Sequence, residues 1–255
     1  MRETPLGGNL NDAVRVGDTV RRTTGPWTPA VHALLRFLEE RDFPAPRVRG
    51  IDEQGREILE YVEGEAHSGT FEPLPDRVMV DENMQGAARL LRRYHDLAAD
   101  FRPPADARWR VIAPTAHEVI THNDWSPWNA LLRDGRLLMT LDWDLAGPGS
   151  CLWGVANAAL SWVPLFSGHT RHSTEEKARR LRLFVDAYGL ADRERAALIP
   201  TMGVELRHMS GVITDAAARG DIGMQRLVAW GIPKKMYESE VEWLDENRAA
   251  LERAL

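Results

Sequence analysis

The sequence predicts a two-lobed α+β protein, with a small antiparallel sheet in the amino-terminal lobe and a mostly helical carboxy-terminal lobe. Alternating apolar residues and short turns dominate the first quarter of the chain, whereas apolar residues recur at helical spacing over most of the remainder. The polar, Pro-containing stretch EGEAHSGTFEPLPD separates these two patterns. We therefore predict an amino-terminal lobe over residues 1–64 and a carboxy-terminal lobe over residues 65–255.

The first lobe is predicted to contain short strands and one helix. The segment AVRVGDTVRR alternates around Gly17 and Asp18, which indicates two strands joined by a tight hairpin. The segment TPAVHALLRFLEER then has the apolar spacing of an amphipathic helix. Next, PRVRGIDEQGREILEYVEG predicts a strand, a turn at residues 53–55 and a second strand. The first strand is expected to be short, over ETPL.

The second lobe is predicted to be helical except around one polar stretch. Helical periodicity covers VDENMQGAARLLRRYHDLAADF, TEEKARRLRLFVDAYG, DRERAALIPTMGVELRHMSGVITDAAARG and KKMYESEVEWLDENRAALERAL. The exception is THNDWSPWNALLRDGRLLMTLDWDLAGPG, in which residues 130–132 and 137–142 are predicted to form strands. Asp134 and Gly135 lie at the centre of the turn between them.

Composition excludes several classes of function. The 255-residue chain has a formal net charge of -6, so it lacks a global basic field to attract nucleic acid or anionic lipid. The single cysteine, Cys151, excludes an internal disulfide and a cysteine-based zinc site. The sequence shows no signal segment and no run near the roughly 18 apolar residues of a membrane helix. We therefore expect a cytoplasmic protein with no nucleic-acid or membrane partner, and composition leaves its oligomeric state open.

Polar side chains flank the predicted strands of the exceptional stretch. His122, Asp124 and Asn129 lie on the loop before the first strand, and Asp142 lies at the end of the second. Magnesium prefers oxygen ligands and commonly uses one or two protein groups together with substrate phosphates, which Asn129 and Asp142 would satisfy. Asp124 is then available as a base that orients a substrate hydroxyl and accepts its proton.

These residues also carry a resemblance to a known family. HNDWSPWN followed by LDWDLAGPG resembles the catalytic loop and metal-binding segment of the aminoglycoside phosphotransferase and choline kinase-like family, which is similar to protein kinases in fold. The resemblance implies a protein-kinase-like fold, with Asp124 as catalytic base and Asn129 and Asp142 as magnesium ligands. It implies a supporting role in the catalytic loop for His122.

Three other segments resemble the same family more weakly. LGGNLNDAVRVGDTVRR is similar to its nucleotide loop and following strands, which would place Gly7 and Gly8 at the phosphates, although a glycine pair is also a common turn. ILEYVEG is similar to the hinge that meets the adenine, which implicates Glu60 and Val62. ARLLRRYHDL is similar to the helix that supports the catalytic loop.

The chain departs from the family in its phosphate-binding cation. The family usually has a lysine on the third strand, but no lysine precedes Lys177. Arg22 lies in phase with Val20 on the predicted strand and is expected to replace that lysine. The family also pairs the lysine with a glutamate on the following helix. Val31 and His32 fall nearest that position here, so the sequence does not identify a partner for Arg22.

The acceptor site has several candidates. Glu238, Glu242 and Asp245 share one predicted helical face and could hold ammonium groups, although a solvated face is the alternative. Asp144 could serve as a further carboxylate at the site, or it could face solvent or cap the turn at Gly147 and Pro148. Four tryptophans near the motif could stack on a cationic group or pack in the core: Trp125, Trp128, Trp143 and Trp153. Further acidic candidates without a distinguishing pattern are Glu205, Asp215 and Asp221.

The predicted function is a magnesium-dependent phosphotransferase that moves the γ-phosphoryl group of ATP or GTP to a hydroxyl of a small molecule. The resemblance implies an aminoglycoside-like or choline-like cationic acceptor. One alternative is a catalytically silent kinase-like protein that sequesters a small molecule or a peptide. Another is an interaction module whose tryptophan-rich lobe binds a protein. A kinase of protein or peptide substrates is less favoured, because DWDLAGPG lacks the Phe-Gly pair of protein kinases.

Overall fold

The secondary structure follows the predicted division into a strand-rich and a helix-rich part. The computed structural model describes residues 2–7, 13–67, 74–165 and 171–255. The strands among them are β1 (Glu3–Gly7), β2 (Ala13–Val16), β3 (Thr19–Arg22), β4 (Val48–Ile51), β5 (Glu57–Glu60), β6 (Val119–Thr121), β7 (Ala130–Arg133), β8 (Arg136–Thr140) and β9 (Gly147–Gly149). The α-helices are α1 (Thr28–Glu39), α2 (Asp81–Ala98), α3 (Cys151–Trp162), α4 (Thr174–Tyr188), α5 (Asp192–Ala218), α6 (Ile222–Ala229) and α7 (Ser239–Glu252). Within these ranges, no helix is both long and apolar enough to cross a membrane.

The amino-terminal sheet is antiparallel, with strand order β1-β2-β3-β5-β4. The predicted hairpin at Gly17 is confirmed, and Gly17 has a φ of 64°, which glycine adopts without strain. Because successive side chains on a strand alternate between faces, Val20 and Arg22 share one face of β3. Their register partners on β5 are Leu59 and Glu57. The sheet therefore sets Arg22 directly opposite a carboxylate.

The predicted strand-turn-strand at the catalytic motif is confirmed as β7 and β8, with one difference. Asp134 and Gly135 have φ values of 52° and 73°, as in the tight hairpin turns that favour Asp-Gly. However, β8 ends at Thr140, two residues earlier than predicted. Asp142 has a φ of 54° and therefore cannot continue a strand. This change of direction turns the Asp142 side chain into the cleft.

The helical lobe contains two helices that hydrophobic periodicity does not predict. Helix α3 is capped by Ser150, whose side chain accepts a hydrogen bond from the Trp153 N–H. Nearly all of its residues are buried, so it has no polar face and no helical period in its sequence. Helix α6 is only eight residues long and begins at the capping side chain of Asp221. Both helices contribute to the site described below.

The segment that connects the two lobes is tied to β7. The Glu65 N–H donates to the Leu132 carbonyl at 2.8 Å, and the Leu132 N–H donates to the Glu65 carbonyl at 2.9 Å. A side chain at Gly64 would bring its Cβ within 2.7 Å of the same Leu132 carbonyl oxygen. Glycine therefore allows the connector to pass close to the hairpin that carries the catalytic motif.

Candidate active site

The catalytic loop is held together by hydrogen bonds that converge on Leu141. The Leu141 N–H donates to the Asn129 carbonyl at 2.7 Å, and the Leu141 carbonyl lies 3.0 Å from Nε2 of His122. The Asn129 side-chain amide donates to the Asp124 carbonyl at 3.1 Å. The loop and the end of the hairpin are thus brought together, so Asp124, Asn129 and Asp142 line one cavity.

His122 is buried within this network. The Asp124 N–H donates to Nδ1 of His122 at 3.2 Å, which leaves Nε2–H to donate to the Leu141 carbonyl. Burial lowers the pKa of His122 to about 4, so the ring is neutral at physiological pH. Its ring contacts Trp125 and Trp143, and each of these tryptophans is only 1% exposed. His122 therefore supports the loop without facing the cavity as a proton carrier.

Asp124 combines partial exposure with an unusual proton affinity. Its Oδ1 accepts a hydrogen bond from the indole N–H of Trp128 at 3.1 Å. Burial of the carboxyl group, followed by the negative charge of Asp142, raises the pKa of Asp124 to about 6. A carboxylate with a pKa close to the working pH can both accept and release a proton.

Asn129 and Asp142 provide neighbouring oxygen donors. Asn129 is 8% exposed, whereas the Asp142 side chain is 33% exposed and so remains accessible from the cavity. Among the described residues, no group of three or more histidine, cysteine, aspartate or glutamate side chains is arranged to hold a metal. A cation at this position would therefore take its remaining ligands from water or from a phosphate, as magnesium commonly does.

Arg22 reaches across the cleft from β3 and contacts three carboxylates. Its Nε donates to Glu57 at 2.7 Å, Nη1 donates to Asp142 at 2.9 Å and Nη2 donates to Asp144 at 2.8 Å. Burial opposes the positive charge, but the charges of Asp144, Asp142 and Glu57 outweigh it and raise the pKa of Arg22. The planar guanidinium group makes these three contacts from three different nitrogens, which fixes their directions.

The partner of Arg22 that the sequence left unidentified is Glu57 on β5. The sequence did not identify this partner because it lies on a strand, whereas the family carries its glutamate on the following helix. His32 instead contacts the other oxygen of Glu57, at 2.9 Å. Burial tends to raise the pKa of Glu57, but the Arg22 charge and the hydrogen bonds from His32 and Arg22 lower it. The cation is therefore anchored by the neighbouring strand, and the helix supports that anchor.

Of the roles that the sequence left open for Asp144, the structure agrees with a further carboxylate beside the site. It is 5% exposed and bonds to Arg22, so it neither faces solvent nor lies at an acceptor position. After Asp142 the chain turns back toward β3 before it enters β9, and this course places Asp144 beside Arg22. Asp144 is thus an ion-pair partner of Arg22.

The cavity has a volume of about 530 Å³ and extends between the lobes. Glu60 and Val62 line its sheet side together with Leu6 and Val20. The Glu60 carboxylate also pairs with Arg49. Gly7 is the last residue of β1, whereas Gly8 lies outside the described residues. The sheet side of the cavity is thus bounded by apolar side chains and by the end of β5.

The opposite side of the cavity is formed by the helical lobe and contains residues that the motif analysis missed. Glu205 lines it, which the sequence could suggest only as one acidic residue among several. Asn157 on α3 and Tyr237 also line it and were not predicted. Trp128 is the one predicted tryptophan at the cavity wall, whereas the other three are core residues: Trp125, Trp143 and Trp153.

The predicted acidic row lies away from this cavity. Glu238 and Glu242 are exposed, and Asp245 pairs with Arg248 at 2.6 Å on the surface of α7. The apolar side of the helix, at Leu244, faces the core instead. These three residues form a solvated helix face, so we do not assign them to acceptor binding.

Comparison with known proteins agrees with this geometry. Residues 3–111 match the phosphotransferase enzyme family, APH. The trifolitoxin immunity protein of Rhizobium leguminosarum bv. trifolii is 31% identical over 263 residues, which covers 98% of this chain and 97% of that protein. Two solved structures share the fold. Amicoumacin kinase hAmiN, in complex with AMP-PNP, Ca²⁺ and Ami, gives a TM-score of 0.64 at 11% identity, over 98% of this chain and 88% of that chain. A choline/ethanolamine kinase family protein from Mesorhizobium loti gives a TM-score of 0.57 at 13% identity, over 96% of this chain and 93% of that chain.

The structural matches confirm that the two-lobed α+β architecture is protein-kinase-like. The family match covers the amino-terminal sheet with α1 and α2, and the relative is similar over nearly the whole chain, including the stretch from HNDWSPWN to the Asp142 segment. The chain therefore belongs to the phosphotransferase enzyme family, APH.

Proposed function

We propose that the chain transfers the γ-phosphoryl group of ATP or GTP, with Mg²⁺, to a hydroxyl group of a small molecule. The observation that supports this most directly is the convergence of Asp124, Asn129 and Asp142 on one cavity, opposite Arg22. Phosphoryl transfer needs positioning and charge neutralisation more than covalent chemistry, and these side chains are suited to both.

Arg22 is our candidate for the residue that holds the nucleotide phosphates. Its anchor Glu57 is 2% exposed and is itself held by His32, so the guanidinium group is fixed on the sheet side of the cleft. The adenine or guanine ring would lie near Glu60 and Val62, with the phosphates toward Gly7 and Gly8. Val20, which shares the β3 face of Arg22, would cover the ring.

The charges around Arg22 support a role for a divalent cation. Three carboxylates contact one guanidinium group, so negative charge exceeds positive charge where a triphosphate would enter. A polyanion is repelled there unless a cation accompanies it. The oxygens of Asn129 and Asp142 would hold Mg²⁺, which would neutralise phosphate charge when bound.

The transfer step follows from the position of Asp124. The acceptor hydroxyl oxygen attacks the γ-phosphorus, and its proton passes to the Asp124 carboxylate. The bond between the γ-phosphorus and the β–γ bridging oxygen breaks, and the nucleoside diphosphate leaves with that electron pair. The Trp128 indole N–H, bonded to Asp124, fixes the orientation of the carboxylate.

Nucleotide binding tests the proposal. We would measure the heat of binding of ATP and of GTP, each with and without Mg²⁺, to the wild type, Asp142→Asn and Asp134→Asn. Asp134 is exposed in the β7–β8 turn, so it is the matched control. We expect Mg²⁺-dependent binding in the wild type and control, and loss of that dependence in Asp142→Asn. If neither nucleotide binds, the proposal fails; binding without a phosphorylated product from any acceptor would favour a silent binding protein.

We further propose that the biological role is protection against a toxic compound. This rests on the relative that is named an immunity protein, which is similar over nearly the whole chain. Protection could arise from phosphorylation of the compound, which makes it anionic, or from tight binding alone. The second route corresponds to the sequestering alternative.

Expression in trifolitoxin-sensitive cells would separate these routes. The wild type, Asp124→Asn and Asp134→Asn would be compared for survival at matched protein levels. Protection by the wild type and Asp134→Asn alone would indicate chemistry at Asp124. Equal protection by all three would indicate sequestration, and protection by none would reject a role against this toxin.

A further inference from the structure

The acceptor side of the cavity is mostly apolar. Beyond Asp124, its wall is formed by α5, α6 and the segment after α6, which turn large aliphatic and sulfur-containing side chains toward the cavity. The residues concerned are Leu206, Met209, Ile213, Met224, Leu227 and Ile232. An apolar wall of this kind gains free energy from covering an apolar ligand and offers nothing to a sugar hydroxyl.

One carboxylate interrupts this wall. Glu205 lies on α5, is 2% exposed and lines the cavity. Its Oε1 accepts a hydrogen bond from the side-chain amide of Asn157 at 2.8 Å. Asp124 and Glu205 are the only carboxylates that the described residues contribute to the acceptor side. The site therefore has one acidic position besides the catalytic base.

Asn157 fixes the position of Glu205 relative to the base. The same Asn157 amide donates to the Asn123 carbonyl at 3.2 Å, and its Oδ1 accepts from the Trp125 N–H at 3.0 Å. These are the two residues on either side of Asp124 in the chain. Glu205 is thus coupled through one side chain to the backbone that holds Asp124, which sets a defined spacing between the two carboxylates.

Glu205 is also without a countercharge in the part of the chain that the structure describes, since none of the ion pairs there includes it. Burial raises its pKa to about 7, which reflects the cost of a charge at this position. A buried carboxylate is stabilised by a cation or a strong hydrogen-bond donor. The cavity leaves room for a ligand to supply that group.

We propose that the acceptor is a largely apolar amino alcohol with a single amine. Its hydroxyl faces Asp124, its protonated amine binds Glu205 and its apolar body packs on the α5–α6 wall. This inference rests on the proposed phosphotransferase function. It distinguishes this acceptor from polycationic sugars, for which the wall provides too few carboxylates.

The test uses four acceptors that differ in the number of amines and in the presence of an apolar body. The first, 2-amino-1-octanol, carries one amine and an apolar body. The second, 1,2-octanediol, lacks the amine, and ethanolamine lacks the apolar body. The fourth, kanamycin, carries many amines. Binding would be measured in the presence of a non-hydrolysable nucleotide and Mg²⁺, and phosphorylation with the natural nucleotide. We expect 2-amino-1-octanol to bind at least about tenfold more tightly than each of the others.

Glu205→Gln provides the second part of the test, with the exposed Glu246→Gln as its matched control. Glutamine preserves the hydrogen bond from Asn157 but cannot offer a charge. We expect the preference for the amine over the diol to fall below about threefold in Glu205→Gln only. Thermal unfolding of both variants checks that each is folded.

Three results would overturn the inference: equal binding of the amine and the diol, a preference for kanamycin, or an amine preference that survives in Glu205→Gln. Absence of binding by all four compounds would also overturn it. Failure of the underlying function is distinguishable, because then the nucleotide itself does not bind with Mg²⁺. Nucleotide binding with no amine preference would reject the acceptor class alone.

Discussion

The two sides of the cleft handle charge in opposite ways. On the sheet side, Arg22 pairs with three carboxylates, of which Glu57 and Asp144 are nearly buried. On the helical side, Glu205 is equally buried but lies among apolar residues, with an amide as its partner. Paired charges stabilise a fixed geometry, whereas an unpaired one leaves a position that a ligand can complete. Under the proposed function, the sheet side would bind the phosphates and the helical side would define the acceptor.

The largest effect is expected at the junction of the two sides. Asp124→Asn removes the proton acceptor but preserves the size of the side chain, so we expect turnover to fall by about 10²–10⁴-fold. Nucleotide affinity should change little, since Asp124 contacts Trp128 rather than Arg22. Steady-state kinetics and calorimetry on the same preparations measure the two quantities. Asp134→Asn serves as the control, and undiminished turnover in Asp124→Asn would remove this residue from the mechanism.

The ion pairs on the sheet side can be broken by replacing Arg22. Arg22→Met removes the guanidinium group that bonds to the buried carboxylates of Glu57 and Asp144, so we expect the free energy of unfolding to fall by about 3–5 kcal/mol. Urea denaturation at pH 7 measures this, with Arg136→Met as an exposed control. The pKa of Glu57 is lower in the folded protein than in the unfolded chain. The stability that its pairing contributes is therefore fully present above the pKa of the unfolded chain and is lost as the pH falls through the pKa of the folded protein. The difference in free energy of unfolding between the wild type and Arg22→Met should therefore shrink in acid. A difference below about 1 kcal/mol at pH 7 would contradict the pairing.

The sequence predicted the parts of this cleft that depend on short-range spacing. The motif with Asp124, Asn129 and Asp142 and the turn at Asp134 can be recognised because neighbouring residues determine their geometry. The partner of Arg22 could not be found in this way. Glu57 lies opposite it only through the β3–β5 register, 35 residues away in the chain.

The acceptor side could not be predicted from local sequence patterns, for a different reason. Glu205 occurs in a long helix with several other acidic residues, and only the packing of α3, α5 and α6 distinguishes it. The wall also includes residues from α6, which is short, and packs on α3, whose mostly apolar sequence has no helical period. The exposed row on α7 had the clearer pattern, since sequence alone cannot distinguish a carboxylate that faces solvent from one that faces a cavity.

The unpaired side predicts a pH-dependent stability. Burial raises the pKa of Glu205 from 4.5 to about 7, so the folded protein holds this proton more tightly than the unfolded chain. Stability is therefore lost as the pH rises from about 4.5 to 7. Glu205→Gln lacks this loss, and we expect it to be about 1–3 kcal/mol more stable than the wild type at pH 8 but nearly equal at pH 4.5.

Denaturation without ligands across this range measures the difference. Asp124 and Tyr237 lie near Glu205; Asp124 is present in both proteins, and burial raises the pKa of Tyr237 above the range examined. Glu246→Gln should follow the wild type at every pH. A gap between wild type and Glu205→Gln that is constant from pH 4.5 to 8 would show that the carboxyl group does not titrate in the fold.

The smallest effect is expected outside the cleft, at the acidic row on α7. The double variant Glu242→Gln, Asp245→Asn removes two charges from a solvated surface, where substitutions change stability by about 0.5 kcal/mol or less. Asp245 is half exposed in its pair with Arg248, so water already screens that contact. We expect an unchanged KM for the amino alcohol acceptor, in contrast to Glu205→Gln, when both are measured at saturating nucleotide. A fivefold rise in acceptor KM with an unchanged nucleotide KM would instead show that α7 contributes to acceptor recognition. In that case the apolar wall with Glu205 would not be sufficient to define the acceptor, and the contrast between the two sides of the cleft would need to include the surface beyond it.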